Sequence, residues 1–281
     1  MYFAKRQYGL LLQVGKFIWN MKELVSLIPS LLEITRHAAT AILEIYNSNA
    51  DFGVEAKSDD SPLTRADRAA NEVICRGLES LPVQYPIISE ENKLLPYAER
   101  RNWTRCWLVD PLDGTKEFIK KNGDFTVNIA LVENGEVVAG VVGIPAQDEL
   151  YWAVRGEGAF IIKNQLESPI EAASFSKEDT GLNIVCSRSH LTPETEAFIA
   201  KYHSPNLVSR GSALKFLLLA KGEAHVYPRI APTMEWDTAA AQIILEEAGG
   251  KVLVYETGEP MRYNREQLLN PSFEAYGSLQ T

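Results

Sequence analysis

Two aspartates crowd one turn in the stretch WLVDPLDGT, residues 107–115. A β-rich run at 107–109 leads into Asp110-Pro111, where the proline ring fixes φ and removes a donor, so the strand is expected to stop on a carboxylate. Asp113 follows three residues later, Gly114 permits a tight backbone path, and Thr115 offers a hydroxyl just beyond. Like charges placed so close raise each other's pKa, and a divalent cation is the simplest relief. The competing reading is an ordinary turn, because Asp-Pro and Asp-Gly pairs often form one. The apolar strand before the pair, the threonine after it and carboxylates elsewhere in the chain favour the metal.

Those other carboxylates lie far away in sequence. A short strand at 86–88 runs into Ser89-Glu90-Glu91. Neighbouring side chains on extended backbone point oppositely, so one of the two glutamates faces whatever the strand end holds. Thr64 and Asp67 have the spacing of a helix-capping box; the alternative turns Asp67, fixed at a helix start, toward a metal or a water. Asp237 opens the run TAAAQIILEEA, where capping is an aspartate's usual task. Lys57 is a solvated loop charge or a phosphate contact, and His37 falls inside a helix as a structural or exposed residue.

Leu31, Leu32, Ala38, Ala39, Ile42 and Ile45 recur at three- and four-residue spacing and predict an amphipathic helix over about 29–46. A second helix follows Thr64. Beyond Asp113, β-rich runs at 125–132 and 136–144 flank Asn134-Gly135, a hairpin signal, and runs at 150–154 and 159–162 extend an antiparallel sheet. Residues 166–177 read as polar and turn-like. After them, strands at 183–187, 207–209, 224–227 and 251–255 alternate with helices from Pro193, Ser212 and Asp237, the last ended by Gly249-Gly250. The expected division is 1–20 outside the working fold, 21–170 an α+β subdomain carrying the aspartate motif, and 171–281 an α/β subdomain with the substrate pocket.

A chain of 281 residues can bury a large core, and with 46% apolar residues but no run near the ~18 of a membrane span it reads as a soluble enzyme. A formal charge of −9 argues against a nucleic-acid partner, so a phosphorylated small molecule would need a local cationic pocket or metals. Cys75, Cys106 and Cys186 lack metal-ligand spacing and suit reduced thiols in a cytoplasm. Lys5 and Arg6 precede a short, interrupted apolar run without a small-residue cleavage site, unlike a secretion signal. Met21 is the expected start of the working fold; the alternative for residues 1–20 is a peripheral segment resting on the cytoplasmic side of the inner membrane. Monomer and homodimer stay equally open.

Taken together, Thr64-Arg65-Ala66-Asp67, Ser89-Glu90-Glu91, DPLDGT from Asp110 and Trp236-Asp237-Thr238-Ala239-Ala240 resemble the inositol monophosphatase superfamily of metal-dependent, lithium-sensitive phosphatases. Lys116-Glu117-Phe118, Ser187-Arg188-Ser189-His190, Gly211-Ser212-Ala213-Leu214-Lys215 and Tyr227-Pro228-Arg229 look more specifically like its bacterial 3'(2'),5'-bisphosphate nucleotidases. The resemblance runs from about residue 30 to the C-terminus. It implies an α/β fold with an α+β N-terminal half, a layered αβαβα sandwich in two subdomains. It implies that Glu90, Asp110, the Leu112 carbonyl, Asp113 and Asp237 bind two or more Mg²⁺ ions, all through the hard oxygens that magnesium prefers. Asp67, Thr115 and Glu90 become the catalytic group, with Asp67 and Thr115 beside the attacking water and the Gly114 and Thr115 N–H groups on the phosphate. Substrate contact is implied for His190, Ser212, Lys215 and Arg229, and through the shared phosphate for Glu90, Leu112, Asp113 and Asp237. Two departures stand out: residues 1–20 have no counterpart, and Ala213 replaces a serine that related chains often carry.

The activity so implied is hydrolysis of adenosine 3',5'-bisphosphate to AMP and phosphate in sulfur metabolism, with the 3'-phosphosulfate precursor as a second substrate. An inositol or sugar monophosphatase would use the same acidic cage without a nucleotide pocket. A non-catalytic nucleotide or metal sensor would keep the cage without turnover, and Asp67 with Thr115 beside the full ligand set argues against it.

Overall fold

Two β-sheets carry the chain, and period-two alternation gives each of them two buried faces. The structure, a computed structural model, describes residues 2–48, 51–56, 62–186 and 192–280, with side chains from residue 22 onward. The first sheet has seven strands in sequence order: β1 (Ile87–Ser89), β2 (Arg105–Asp113), β3 (Thr126–Glu133), β4 (Glu136–Ile144), β5 (Glu149–Val154), β6 (Gly158–Lys163) and β7 (Leu166–Ile170). β1 lies parallel to β2, and every later pair is antiparallel. The second sheet is built from β8 (Asn183–Cys186), β9 (Asn206–Ser209), β10 (Val226–Arg229), β11 (Lys251–Val254) and β12 (Phe273–Tyr276), in the spatial order β9-β8-β10-β12-β11. The helices are α1 (Tyr2–Tyr46), α2 (Arg65–Glu79), α3 (Thr115–Ile119), α4 (Pro193–Ile199), α5 (Leu214–Ala220) and α6 (Glu235–Glu247), besides one short turn at Tyr97–Arg100.

Side-chain alternation sets the layers. On β2, Trp107 and Val109 enter a core shared with Leu31 and Ile42 of α1 and Ile74 of α2, while Cys106 and Leu108 enter one shared with Leu217 of α5 and Ile244 of α6. On β8, Val185 joins this second core, and Ile184 turns away to meet Phe198 of α4 in a third. The order α1/α2, first sheet, α5/α6, second sheet, α4 is an αβαβα sandwich, as expected. Helix α6 belongs to the second half in sequence yet packs on the first sheet, tying the halves together.

Three local expectations change. Helix α1 is longer than 29–46: Leu24, Leu27 and Ile28 continue its buried stripe, and Pro29 inside the helix lies on the exposed side. Residues Leu166–Ile170 form a solvent-exposed edge strand, and Ser174–Phe175 pairs with Ser278–Leu279, where turns were expected. An exposed edge strand carries the polar residues and proline of a turn, so composition alone misleads there. Strand β2, finally, does not stop at Asp110. Asp110 faces Asn128 and Asp113 faces Thr126, so Pro111 and Leu112 together oppose Val127 in a β-bulge. A bulge is where a strand tolerates proline, because a ladder donor is not required at that point.

Among the described residues no helix is long and apolar enough to cross a membrane.

Candidate active site

The C-terminal ends of β1 and β2, with the first turns of α3, α5 and α6, surround a cavity of about 430 Å³. Glu90, Asp110, Leu112, Asp113, Gly114, Thr115, Ser212, Lys215, Arg229 and Asp237 all line it. Of the expected site residues that the structure describes, only Asp67 does not. Asp67 reaches the cavity through Thr115, whose hydroxyl donates to its Oδ1 at 3.0 Å. His190, with Ser187, Arg188, Ser189 and Lys57, lies outside the described residues.

The bulge is what brings the carboxylates of β2 together. It inserts one extra residue, bends the strand, and turns Asp110 and Asp113 into the same hollow; the Leu112 N–H donates to Asp110 Oδ1 at 3.0 Å and fixes the turn. Gly114 follows with φ of +95°, in the left-handed region that a side chain disfavours. Across the site Ser212 hydrogen-bonds through its hydroxyl to the carbonyls of Asp113 at 2.8 Å and Asp124 at 2.7 Å, clamping this loop from the other half of the chain. Its side chain thus lines the cavity while its polar atom faces backbone.

Helix starts hold the remaining acids. Asp67 is the third residue of α2, and its Oδ2 accepts from the Thr64 N–H at 2.7 Å and the Thr64 hydroxyl at 2.5 Å, a complete capping box. One oxygen of Asp67 thus serves the cap while the other meets Thr115 at the cavity. Asp237 does not open its helix: α6 starts at Glu235, and Asp237 reaches back from the third position to accept from the Met234 N–H at 2.8 Å. Glu90 follows β1 directly, its N–H bonded to the Val109 carbonyl at 3.1 Å.

Burial and mutual repulsion dominate the electrostatics. Burial, then the charges of Glu90, Asp113 and Asp237, push the Asp110 carboxyl well above its ordinary value. Burial raises Asp113 to about 6, against the pull of Lys215. Asp237 is likewise raised, by burial and then by Asp113. Lys215 is not on a solvated helix face: it is buried, donates to the Ser212 carbonyl at 2.7 Å and lies over the Tyr227 ring, and burial lowers its ammonium to about 8. Arg229 donates to the Pro232 carbonyl at 3.0 Å and keeps a buried Nε with no hydrogen-bond partner among the described residues.

As they stand, no three His, Cys, Asp or Glu side chains among the described residues are arranged to hold a metal ion. The fit to a cation rests on charge and donor type. Among the described residues five carboxylates line the cavity, Glu117 with Glu90, Asp110, Asp113 and Asp237; the three aspartates are pushed toward protonation, and the acids offer hard oxygen donors, which suits a divalent alkaline-earth ion.

Sequence reasoning missed Asn128 and Tyr227. Asn128 is 1% exposed and opposite Asp110 in the ladder, and neither of its amide atoms has a hydrogen-bond partner among the described residues. The signal was present: a polar residue in the apolar run Thr126–Glu133 has to have something polar to face. Tyr227 gave no such signal, since an aromatic in a strand is ordinary core.

Comparison with known proteins agrees with this arrangement. The sequence profile of the Inositol monophosphatase family matches residues 24–278. A protein of Escherichia coli (strain K12) named 3'(2'),5'-bisphosphate nucleotidase CysQ is 40% identical over 242 residues, covering 86% of this chain and 96% of that protein. The crystal structure of CysQ from Bacteroides thetaiotaomicron, a bacterial member of the inositol monophosphatase family, superimposes with a TM-score of 0.80 at 44% identity, over 91% of this chain and 98% of that one. An inositol monophosphatase from Anabaena (Nostoc) sp. PCC 7120 aligns over 92% and 93% of the two chains, with a TM-score of 0.69 at 25% identity. A profile spanning nearly the whole chain and relatives of this similarity make it a member of the inositol monophosphatase family.

Proposed function

We propose that this chain is a magnesium-dependent 3'(2'),5'-bisphosphate nucleotidase of the cytoplasm, converting adenosine 3',5'-bisphosphate to AMP and phosphate, with the 3'-phosphosulfate precursor as a second substrate. The observation that carries this reading is one cavity that combines the carboxylates with Lys215 and Arg229. The acids suit cations; the two bases suit the further phosphate that a nucleotide bisphosphate has and an inositol monophosphate lacks. The greater similarity to the two CysQ proteins than to the Anabaena inositol monophosphatase points the same way.

Glu90, Asp110, the Leu112 carbonyl, Asp113 and Asp237 would hold two or more Mg²⁺ ions. Bound there, magnesium supplies a Lewis acid that offsets phosphate charge and makes a water more acidic. The chain's own part is positioning and proton transfer. Thr115 donates its proton to Asp67 and so presents a lone pair to a water in the cavity; as that water attacks phosphorus, the bond from phosphorus to the ribose 3' oxygen breaks, the water's proton passes to Thr115 and the threonine's to Asp67, and the leaving 3' oxygen takes a proton from solvent. The Gly114 and Thr115 N–H groups at the start of α3 stand ready for phosphate oxygens. Arg229, whose Nε has no hydrogen-bond partner among the described residues, and Lys215 supply positive charge at the cavity of a chain of net charge −9.

The deciding assay measures phosphate release from a panel of nucleotides and inositol phosphates, with magnesium titrated and lithium added. Adenosine 3',5'-bisphosphate should be turned over far faster than inositol 1-phosphate; the reverse order ends the nucleotidase reading. Lys215→Met keeps the stem over Tyr227 and removes the charge. Loss of a charge-assisted bond of about 1.5–3 kcal/mol should raise KM roughly ten- to a hundredfold with kcat within about threefold. An unchanged KM would remove Lys215 from the substrate contacts.

Proton binding gives a test of the metal that does not depend on turnover. Asp113 ionises at about 6 when folded against about 3.9 unfolded, and Asp110 and Asp237 shift in the same sense. The native state then binds more protons than the unfolded one, so these groups stabilise at low pH, and that contribution is lost as pH rises through 6 and above. Magnesium replaces those protons only once they have left. The rise in Tm on adding magnesium should therefore be larger at pH 8 than at pH 5.5, measured by thermal denaturation. An equal rise at both pH values contradicts binding at these carboxylates.

A further inference from the structure

A second cavity, also about 430 Å³, opens in the outermost layer between α4 and the second sheet, and shares no lining residue with the active-site cavity. Phe198, Tyr202, Tyr255 and Tyr276 form its walls, and Lys177 and Lys201 stand with them. The rings make a connected surface: Phe198 lies 5.6 Å from Tyr202 and 6.1 Å from Tyr255, centroid to centroid. Each lysine rests over a ring. Lys201 Nζ is 5.4 Å from the centroid of Phe198 and 6.0 Å from that of Tyr255; Lys177 Nζ is 4.6 Å from that of Tyr276 and donates to its hydroxyl at 3.0 Å. A third ammonium, that of Lys251, lies 5.9 Å from the outside of the same Tyr276 ring system.

What these cations lack is an acid. Among the described residues no carboxylate lies within ion-pair distance of Lys177, Lys201 or Lys251. Of the two acids in the lining, Glu178 faces His203 at 3.7 Å and Glu274 stands against the phenols of Tyr202 and Tyr276. An exposed cation over a ring is held only weakly, so an anion entering the cavity easily draws both ammonium groups to itself. The volume falls in the roughly 300–1,000 Å³ range of small-molecule sites. Its complement has a flat ring to lie on aromatic faces, a doubly charged anionic group for two lysines, and hydroxyls for the phenols and Glu178. A nucleoside monophosphate has all three.

We propose that this cavity is a second, non-catalytic nucleotide site, which takes the base of a nucleoside monophosphate against Tyr255 and its phosphate on Lys177 and Lys201. The assignment does not depend on the proposed activity. The test is calorimetric titration of the full chain with AMP in EDTA, with adenosine and ribose 5-phosphate as probes that each lack one half of the ligand. AMP should bind at least tenfold more tightly than either fragment. Lys177→Ala combined with Lys201→Ala, both exposed positions, should weaken AMP binding at least tenfold and leave the rate of phosphate release unchanged; Tyr255→Ala should weaken AMP and spare ribose 5-phosphate. AMP binding that is absent at millimolar concentration, or that survives the paired lysine substitution and disappears in Arg229→Ala, overturns the proposal.

Discussion

Asp113→Asn is expected to lower kcat by on the order of a thousandfold or more, since the several kcal/mol of transition-state stabilisation that a metal supplies is lost with the ligand charge. The substitution keeps the shape of the side chain, so the bulge and the Thr126 contact have no steric reason to move. It also removes one member of a group of acids that repel each other. Asp113 is held at about 6 by burial, with Glu90 adding to the effect of burial, which means that ionising it costs more in the folded protein than in the unfolded chain. The variant should consequently melt a few degrees higher than the parent in EDTA at pH 8, where each kcal/mol corresponds to about 2–4 °C for a chain of this order of size. Gain of stability with loss of turnover is the signature of a binding group held in place against its own electrostatic preference. Turnover within tenfold of the parent, measured with saturating magnesium, would falsify the ligand assignment. A lower Tm in EDTA would show instead that Asp113 stabilises the fold.

Gly114→Ala acts on the same loop through shape alone. A methyl group there would stand 2.1 Å from Ser212 Oγ and 2.9 Å from the Asp124 carbonyl, at a φ of +95°. Ser212 has nowhere to retreat, because its hydroxyl is what links the Asp113 and Asp124 carbonyls. Left-handed strain of about 1–2 kcal/mol and overpacking of about 1–3 kcal/mol together predict a loss of roughly 2–5 kcal/mol in denaturant titration. Displacement of Thr115 by as little as about 1 Å should cost a further hundredfold in kcat. Gly249→Ala separates the two causes. It has φ of +97° and nothing within 4 Å of the added atom, so only the strain remains and the loss should stay near 1–2 kcal/mol with normal turnover. Equal losses in the two variants would mean that the contact with Ser212 yields without cost.

Much of the fold and of the site could be read from the sequence, for reasons visible in particular residues. The strands and helices were legible from their periodicity, while the five-layer arrangement was legible only through the family resemblance; the structure shows its basis, with Trp107 and Val109 entering one core and Cys106 and Leu108 the other. The site was legible where chemistry is concentrated in short motifs: Asp110, Asp113, Glu90 and Asp237 do line one cavity. Legibility ended where a property belongs to the partner rather than to the residue. Pro111 reads as the end of a strand because a bulge depends on what lies opposite, and only the register with Val127 reveals it. The burial of Lys215 could not be read from its helix alone, because it depends on the Tyr227 ring and the Ser212 carbonyl that receive its ammonium. The edge strand Leu166–Ile170 has the composition of a loop because water takes the place of a neighbouring strand. Asn128 was overlooked because its meaning lies in an aspartate on the next strand.

Asp67 has one oxygen buckled to the beginning of its own helix and the other fastened to the threonine across the cleft. A single carboxylate is therefore asked to do two jobs that cannot be tuned apart. On the proposed mechanism, any drift in sequence that loosens the start of α2 also lets Thr115 swing, so wear in the scaffold registers at once as a slower enzyme, and selection for speed doubles as selection for an intact frame.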